Sequence, residues 1–347
     1  MPNLNSVLNF DCAASAPVLP CAMEAFLSAP AGNPNAGHAI GRAARDALEN
    51  ARHDIAECIG AESKEIHFAP SATAACRFAV ELFDISYPNP HDHKAVYDPV
   101  KKNAIRHKEE DDFSSRWNSV PLASNETGRI FDEHIENVLH FEGQEVFTDA
   151  TAAMGHMRIN VKEIGVSALA AGAHKFGGIP GIGFLYVRGG FAERDAADHT
   201  FPGTPPVALA CAMAAALKYR MENLGLAEEL FHRRTAFAQM LRDGLPGVVE
   251  INTPFYAVPT ILSVRFDGVN ARELLTAMEV RGLCASAGAA CSSGSDEPSR
   301  QLLAAGLTPE QALSTVRFSF AEETTMADFH AAASIVCESV SALRSLG

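Results

Sequence analysis

Lys175 is the first of three residues whose type and surroundings suit covalent chemistry. It lies in the stretch Gly-Ala-His-Lys-Phe-Gly-Gly, directly after a predicted buried strand, where small and apolar residues replace the polar neighbours of a usual surface lysine. Partial loss of hydration lowers the pKa of a lysine and favours Schiff-base chemistry with a carbonyl compound. The alternative interpretation is a lysine on an exposed turn. His174, beside it, either contacts a phosphate or a substrate or only fills space.

Asp149 is the second such residue, because it ends the predicted strand Glu-Val-Phe-Thr-Asp and only one further strand is predicted between it and Lys175. In a parallel sheet both side chains lie at the carboxyl edge, where ligands of such folds bind. Pyridoxal phosphate requires this pair, since a carboxylate keeps the pyridine nitrogen protonated and a lysine holds the aldehyde. The alternative role of Asp149 is to cap the segment that follows.

Cys291 is the third residue, and it lies in Ser-Ala-Gly-Ala-Ala-Cys-Ser-Ser-Gly-Ser (286–295) among residues with almost no side chain. This composition favours a flexible segment, because the small residues around the thiol supply little that would hold it in place. The attacking species is the thiolate, so its activation comes from the site that it reaches. The alternative is a buried cysteine at a tight strand end. Cys284 is predicted to be an ordinary core residue.

Composition and charge exclude several other classes of function. The net charge of −14 argues against a nucleic-acid-binding protein, which normally presents a basic surface. No apolar run approaches the ~20 residues that span a bilayer, and the N-terminal stretch lacks the segments of a signal peptide, so we expect a cytoplasmic protein without membrane contact. No metal site is predicted, because the cysteines lack zinc-site spacing, and His91 and His93 alternate on a predicted strand and point to opposite faces.

Helical patterns that alternate with short β-rich runs predict an α/β protein with a mainly parallel sheet. The helix predicted from Ser71 begins with Ser-Ala-Thr, whose backbone N–H groups and hydroxyls suit a phosphate. Residues 101–118 are dense in charge, so we predict a solvated loop there. With 347 residues the chain is long enough for two domains. We predict a large domain at 16–249 and a smaller C-terminal α+β domain formed by 1–15 and 250–347, which carries the Cys291 segment.

In their order along the chain, these motifs resemble the class V aminotransferase family, and within it the cysteine desulfurases of the NifS/IscS type. The similarity runs over nearly the whole chain. It includes residues 10–17, 32–45, 47–52, 71–75, 92–98, 124–128, 149–155, 173–188, 202–207, 286–299 and 316–320. The resemblance implies fold type I of the pyridoxal-phosphate-dependent transferases, with a large cofactor-binding domain and a small C-terminal domain.

The resemblance also implies which residues hold the cofactor. Lys175 binds the aldehyde of pyridoxal phosphate, and Asp149 pairs with the pyridinium nitrogen. His93 stacks on the cofactor ring. Thr73 and neighbouring backbone N–H groups, including that of Ala72, hold the phosphate.

Four further residues have roles implied by the resemblance. Asn125 lies beside the ring hydroxyl and the substrate, and Arg317 holds the substrate carboxylate through a bidentate pair. Thr204 matches a position that contacts the phosphate of the neighbouring subunit's cofactor, which implies a homodimer with shared active sites. Cys291 falls on the catalytic cysteine of the family.

Several positions depart from the family pattern. Ala152 replaces a glutamine, Gly172 replaces a serine, Ala74 replaces a glutamate and Phe201 replaces an arginine. The segment between 73 and 125 is shorter than in the family. Each lost hydrogen bond to a charged group is expected to cost ~1.5–3 kcal/mol, so cofactor affinity or turnover is expected to be reduced.

The function implied by the resemblance is removal of sulfur from L-cysteine, which leaves alanine and a persulfide on Cys291. The persulfide then passes to an acceptor such as an iron–sulfur scaffold protein. Two alternatives stay open at this stage. One is another reaction on the same scaffold, namely a transaminase or a selenocysteine or cystine lyase. The other is a weakly catalytic dimer that serves to bind partners, which the substitutions at 152, 172 and 201 suggest.

Overall fold

The computed structural model describes residues 7–109, 116–141, 143–189, 203–288 and 297–345. The chain forms two compact units. The larger unit comprises Ala16–Ala123 and Phe131–Leu224, and the smaller unit comprises Met1–Ser15, Ser124–Ile130 and Gly225–Gly347. Within the described ranges, no helix is long and apolar enough to cross a membrane.

The larger unit alternates helices and strands, as the sequence pattern predicts. It follows the short strand β1 (Leu8–Asn9) of the smaller unit. Its helices are α1 (Pro20–Ser28), α2 (Ala39–Ile59), α3 (Ala72–Leu82), α4 (Lys94–Glu109), α5 (Asp132–Leu139), α6 (Val161–Ile164) and α7 (Val207–Glu222). Its strands are β2 (Ile66–Ala69), β3 (Trp117–Ser119), β4 (Glu145–Asp149), β5 (Ala168–Gly172) and β6 (Gly183–Val187).

The sheet of the larger unit is mainly parallel, which confirms the predicted fold class. In the described residues its strand order is β2-β6-β5-β4-β3. Strands β3, β4 and β5 pair in parallel, whereas β6 runs antiparallel to both β5 and β2. Every residue of β5 and β6 is buried, which is typical of a sheet whose two faces are both covered.

The predicted solvated loop at 101–118 is wrong over its described parts. Helix α4 continues to Glu109, because its apolar residues Val96 and Val100 are fully buried in the core of the larger unit. Basic side chains in its last turn suit the negative end of the helix dipole. The segment that we predicted as a loop begins at residue 101, so it includes only the polar second half of this helix. Trp117 then starts the edge strand β3.

In its described residues, the smaller unit contains two small sheets and several helices. Its helices are α8 (Leu224–Gly244), α9 (Ala271–Val280), α10 (Arg300–Ala304), α11 (Pro309–Leu313) and α12 (Met326–Arg344). Its further strands are β7 (Val249–Ile251), β8 (Ile261–Phe266), β9 (Leu283–Cys284) and β10 (Thr315–Ser319). The order β10-β8-β7 is antiparallel throughout, and β1 pairs in parallel with β9.

Aromatic packing explains why α8 groups with the smaller unit. Its core contains the buried phenylalanines Phe10, Phe237, Phe318, Phe320 and Phe329. Neighbouring rings among them pack with centroids 4.8 to 5.9 Å apart, mostly edge to face. Phe237 belongs to α8, so residues 225–249 lie with the C-terminal strands instead of the large domain that we predicted for them.

Candidate active site

Lys175 and Asp149 lie at the same edge of the larger unit's sheet. Strand β4 ends at Asp149, and β5 ends at Gly172, directly before the short 3₁₀ turn Ala173–Lys175. The two strands are parallel neighbours, with Asp149 paired with Ala170. Both residues therefore follow the carboxyl ends of adjacent strands, which is the edge that the sequence predicts for them.

The first turn of α3 lies against the end of β5. Ser71 caps this helix, because its Oγ accepts from Ala74 N at 3.1 Å and its carbonyl accepts from Ala75 N at 3.0 Å. Among the described residues, the N–H groups of Ala72 and Thr73 have no partner, so they are available to an anion. A Cβ added at Gly172 would lie 3.0 Å from the Cβ of Ala72. The end of β5 and the first turn of α3 therefore pack so closely that a serine at position 172 would be crowded.

Asp149 is buried within a polar cluster. Its Oδ1 accepts from Thr151 N at 2.9 Å. The thiol of Cys76 is fully buried, and burial, followed by the charges of Asp149 and Asp92, raises its pKa well above the ordinary value. This thiol is therefore neutral and donates to the carboxylate of Asp149. Asp92 Oδ2 in turn accepts from Ser119 Oγ at 2.5 Å.

His93 lies at the start of α4, where its Nδ1 accepts from Ala95 N at 3.1 Å. This bond fixes the orientation of the imidazole ring next to the buried Asp92. His91 and His93 both lie in the turn before α4, so the strand that we predicted for them is absent from this part of the structure. His91 instead contacts Phe131, with ring centroids 4.9 Å apart.

Three residues that the sequence analysis did not identify hold the turn that follows Lys175. His156 Nε2 donates to the carbonyl of Lys175 at 3.2 Å. The buried Arg220 donates from Nε to the carbonyl of Phe176 at 3.1 Å. Gly155 packs beneath the same turn. The sequence offers only a weak signal for Arg220, because it lies near the end of the alanine-rich α7 together with the charged Lys218 and Glu222, and only the structure shows that it is the buried one.

Substitution of Gly155 is expected to destabilise this turn strongly. Its φ is +84°, which L residues rarely adopt, and an added Cβ would lie 2.5 Å from the Cβ of Phe176. Gly155→Ala combines backbone strain with overpacking, so we expect a loss of about 2–4 kcal/mol in the free energy of unfolding. Urea denaturation measures this loss. Gly225→Ala is the control, because no described atom outside its own helix backbone and its chain neighbours lies within 4 Å of its added Cβ. Equal effects of both changes would contradict the account.

His174 and His67 link stability to pH. Burial lowers the pKa of each from an ordinary 6.5 to about 4, and the charges of Lys175 and Arg52 respectively lower it further. The folded protein thus prefers the neutral rings. This stabilisation is complete above pH 6.5 and is lost as the pH falls toward 4, because the unfolded chain takes up these protons first.

We therefore expect the midpoint of thermal unfolding to fall between pH 6.5 and pH 4, and to fall less steeply in His67→Gln. Differential scanning calorimetry across this range measures both slopes. The exposed His330 supplies the control, since His330→Gln should leave the slope unchanged. An unchanged slope in His67→Gln would show that burial of this ring does not govern the pH dependence.

Arg317 and Asn125 lie together in the smaller unit. Arg317 is 3% exposed, and its Nη1 donates to the carbonyl of Asn125 at 2.8 Å. Its Nη2 forms an ion pair with Asp11 Oδ1 at 2.7 Å. Among the described residues, Nε of Arg317 is buried without a partner. The guanidinium is thus held in one orientation while it keeps an unused donor.

Gln301 also belongs to this group, although the sequence analysis did not identify it. Its Nε2 donates to Asn125 Oδ1 at 2.9 Å, and its Oε1 accepts from Ser124 Oγ at 3.1 Å. Ser299 Oγ donates to Glu126 Oε2 at 2.6 Å on the same segment. Because these partners are far apart in sequence, no local pattern could have revealed them.

The described part of the chain also includes Thr204, Ala74 and Ala152. Thr204 is exposed, shortly before α7. Ala74 lies in the first turn of α3, and Ala152 follows β4. Cys291 and Phe201 lie outside the described residues.

The residues of the larger unit fit pyridoxal phosphate. The N–H groups of Ala72 and Thr73 suit the phosphate, the buried carboxylate of Asp149 suits a protonated ring nitrogen, and Lys175 suits the aldehyde. Thr151 Oγ1 is buried without a partner among the described residues, so one hydroxyl at this edge also remains for a ligand.

Comparisons with known proteins identify relatives over nearly the whole chain. A model of the aminotransferase class-V family matches residues 8–105 and 115–331. The chain is 30% identical to cysteine desulfurase IscS of Serratia proteamaculans, over 97% of this chain and 93% of that protein. It is 28% identical to the IscS-like cysteine desulfurase of Mycobacterium tuberculosis, over 96% of each.

Solved structures share the fold. The NifS-like protein of Rickettsia africae matches with a TM-score of 0.79 and 21% identity, over 96% of this chain and 99% of that one. The apo cysteine desulfurase of Thermococcus onnurineus matches with a TM-score of 0.80 and 20% identity, over 98% of this chain and 96% of that one.

Proposed function

Because this chain belongs to the aminotransferase class-V family, we propose that it is a pyridoxal-phosphate-dependent cysteine desulfurase. It converts L-cysteine to L-alanine and retains the sulfur. The observation that carries the proposal is the placement of Lys175 and Asp149 at the carboxyl ends of adjacent parallel strands, next to the first turn of α3.

The residues of the larger unit divide the work of holding the cofactor. Pyridoxal phosphate, when bound, supplies an electron sink that makes the bonds at the α-carbon of an amino acid easier to break. Lys175 holds the aldehyde, and Asp149 keeps a proton on the ring nitrogen. The backbone N–H groups of Ala72 and Thr73 would hold the phosphate, and the imidazole of His93 would contact the ring.

Lys175 also serves as the base. Its side-chain amine would take the α-proton of the bound substrate. His174 remains neutral at pH 7, because burial and the charge of Lys175 lower its pKa to about 4, so it adds no positive charge beside that amine.

Cys291 performs the sulfur transfer in this proposal. Its thiolate attacks the sulfur of the bound cysteine, so a sulfur–sulfur bond forms and the Cβ–sulfur bond breaks. The electron pair of the broken bond stays with Cβ, which takes up a proton and becomes the methyl group of alanine. The products are L-alanine and a persulfide on Cys291.

Arg317 and Asn125 are the proposed substrate-binding residues. The guanidinium of Arg317 is buried and held by Asp11 and by the Asn125 carbonyl, which favours recognition of a planar carboxylate. The acceptor of the persulfide is proposed to be a protein such as an iron–sulfur scaffold. A homodimer is proposed because of Thr204, whose matching position in the family faces the neighbouring subunit.

The test is turnover of L-cysteine by the purified protein with added cofactor and a thiol reductant. Equal amounts of alanine and sulfide support the proposal. Turnover of selenocysteine or cystine alone would assign the chain to the lyases, and amino transfer to a keto acid would assign it to the transaminases. Protein that stays colourless with added cofactor would support a partner-binding dimer.

A further inference from the structure

We propose that Gln301 is a positioning residue that turns the side-chain amide of Asn125 into a fixed hydrogen-bond donor for the substrate α-carboxylate. This inference rests on the proposed function. It deepens that function by explaining how the smaller unit selects α-amino acids over simple amines.

The hydrogen-bond chain fixes the orientation of each amide. A serine has one O–H donor, and Ser124 directs it to Gln301 Oε1 at 3.1 Å. The amide nitrogen of Gln301 then donates to Asn125 Oδ1 at 2.9 Å. Because Oδ1 of Asn125 accepts this bond, its Nδ2 must point away from Gln301 with both hydrogens.

Burial makes this orientation costly to reverse. Ser124 is 2% exposed and Gln301 is 4% exposed, so neither can replace its partner with bulk water. If the Asn125 amide turned over, its N–H groups would face those of Gln301, and Oδ1 of Asn125 would lose its donor. The carbonyl of Asn125 is held as well, by Nη1 of Arg317 at 2.8 Å.

The hydrogen-bond donors that remain unused in this group indicate the chemistry of the ligand. Among the described residues, Nδ2 of Asn125 and Nε of Arg317 make no hydrogen bond, and both are donors only. Two fixed N–H donors on residues joined to each other match a group with two acceptor oxygens. The α-carboxylate of the substrate is that group in the proposed reaction.

Gln301→Glu tests the inference most sharply. The introduced carboxylate only accepts, so the Asn125 amide must turn over and present its oxygen to the substrate. We expect KM for L-cysteine to rise about tenfold, the size of one hydrogen bond to a charged group, with kcat nearly unchanged. Gln301→Met keeps the length of the side chain without the hydrogen bonds. It should raise KM in the same direction by a smaller factor, and it covers the case in which the buried charge prevents folding.

Binding of two probes separates this inference from the proposed function. L-alanine carries an α-carboxylate and ethylamine does not, and each can be titrated against the absorbance of the bound cofactor without any desulfurase turnover. Both variants should weaken L-alanine binding and leave ethylamine binding unchanged. Gln239→Glu, the same change on an exposed helical position, should alter neither.

Three results would overturn the inference. The first is an unchanged KM and L-alanine affinity in both variants. The second is equal weakening for L-alanine and ethylamine, which would indicate a structural role only. The third is weaker cofactor binding with an unchanged KM, which would assign Asn125 to the cofactor. Wild-type protein that binds L-alanine but releases no sulfur would instead refute the proposed function alone.

Discussion

Replacing Lys175 with alanine is expected to lower alanine formation from L-cysteine by about 10³-fold or more, because the change removes both the group that holds the cofactor and the base that takes the α-proton. The residual rate comes from non-covalently bound cofactor. Steady-state assays with saturating cofactor measure the loss, so that weaker cofactor binding does not account for it.

A matched lysine makes this result specific. Lys162 is exposed on α6 of the same unit, and Lys162→Ala should retain full activity. Borohydride reduction followed by peptide mapping should place the cofactor on Lys175 in the wild-type protein and on no lysine in Lys175→Ala. Activity within tenfold of wild type in Lys175→Ala would remove Lys175 from the mechanism.

Replacing Cys291 with serine is expected to have an effect of similar size on sulfur transfer. A serine hydroxyl is far less acidic than a thiol, and it cannot form a persulfide. We expect alanine formation to fall by about 10³-fold, whereas binding of L-cysteine to the cofactor is preserved, because Cys291 has no part in substrate binding. Rapid-mixing absorbance measures binding, and amino acid analysis measures alanine.

Cys284 offers the control for this change. It lies on β9 seven positions earlier in numbering, and burial raises the pKa of its thiol, which keeps it protonated and unreactive. Cys284→Ala should therefore leave alanine formation unchanged. Normal turnover in Cys291→Ser would contradict the role of Cys291. It would instead indicate a lyase or transaminase mechanism that needs no enzyme thiol.

The fold could be predicted largely from sequence because its signals are local. Period-3.6 and period-2 patterns gave the strands that end at Asp149 and Gly172 and the cap at Ser71. The error at 101–109 arose because the apolar half of α4 precedes the charged stretch. The error at 225–249 has another cause: α8 is amphipathic, and sequence alone does not say that Phe237 packs on Phe318.

The site was predictable only where strand ends place residues together. Lys175 and Asp149 follow from the order of parallel strands, and this placement agrees with the structure. His156, Arg220 and Gln301 did not follow, because each acts through a hydrogen bond to a residue distant in sequence. Those contacts depend on the packed tertiary structure, which no periodicity encodes. The roles assigned to Thr73, His93 and Arg317 remain predictions.

The central claim is that sulfur leaves L-cysteine and binds to Cys291. Mass spectrometry of tryptic peptides after brief incubation with L-cysteine, without reductant, tests it most directly. The account predicts that the peptide with Cys291 gains one sulfur atom, that alanine forms in equal amount, and that the peptide with Cys284 is unchanged. Alanine formation with no added sulfur on Cys291 would contradict the account.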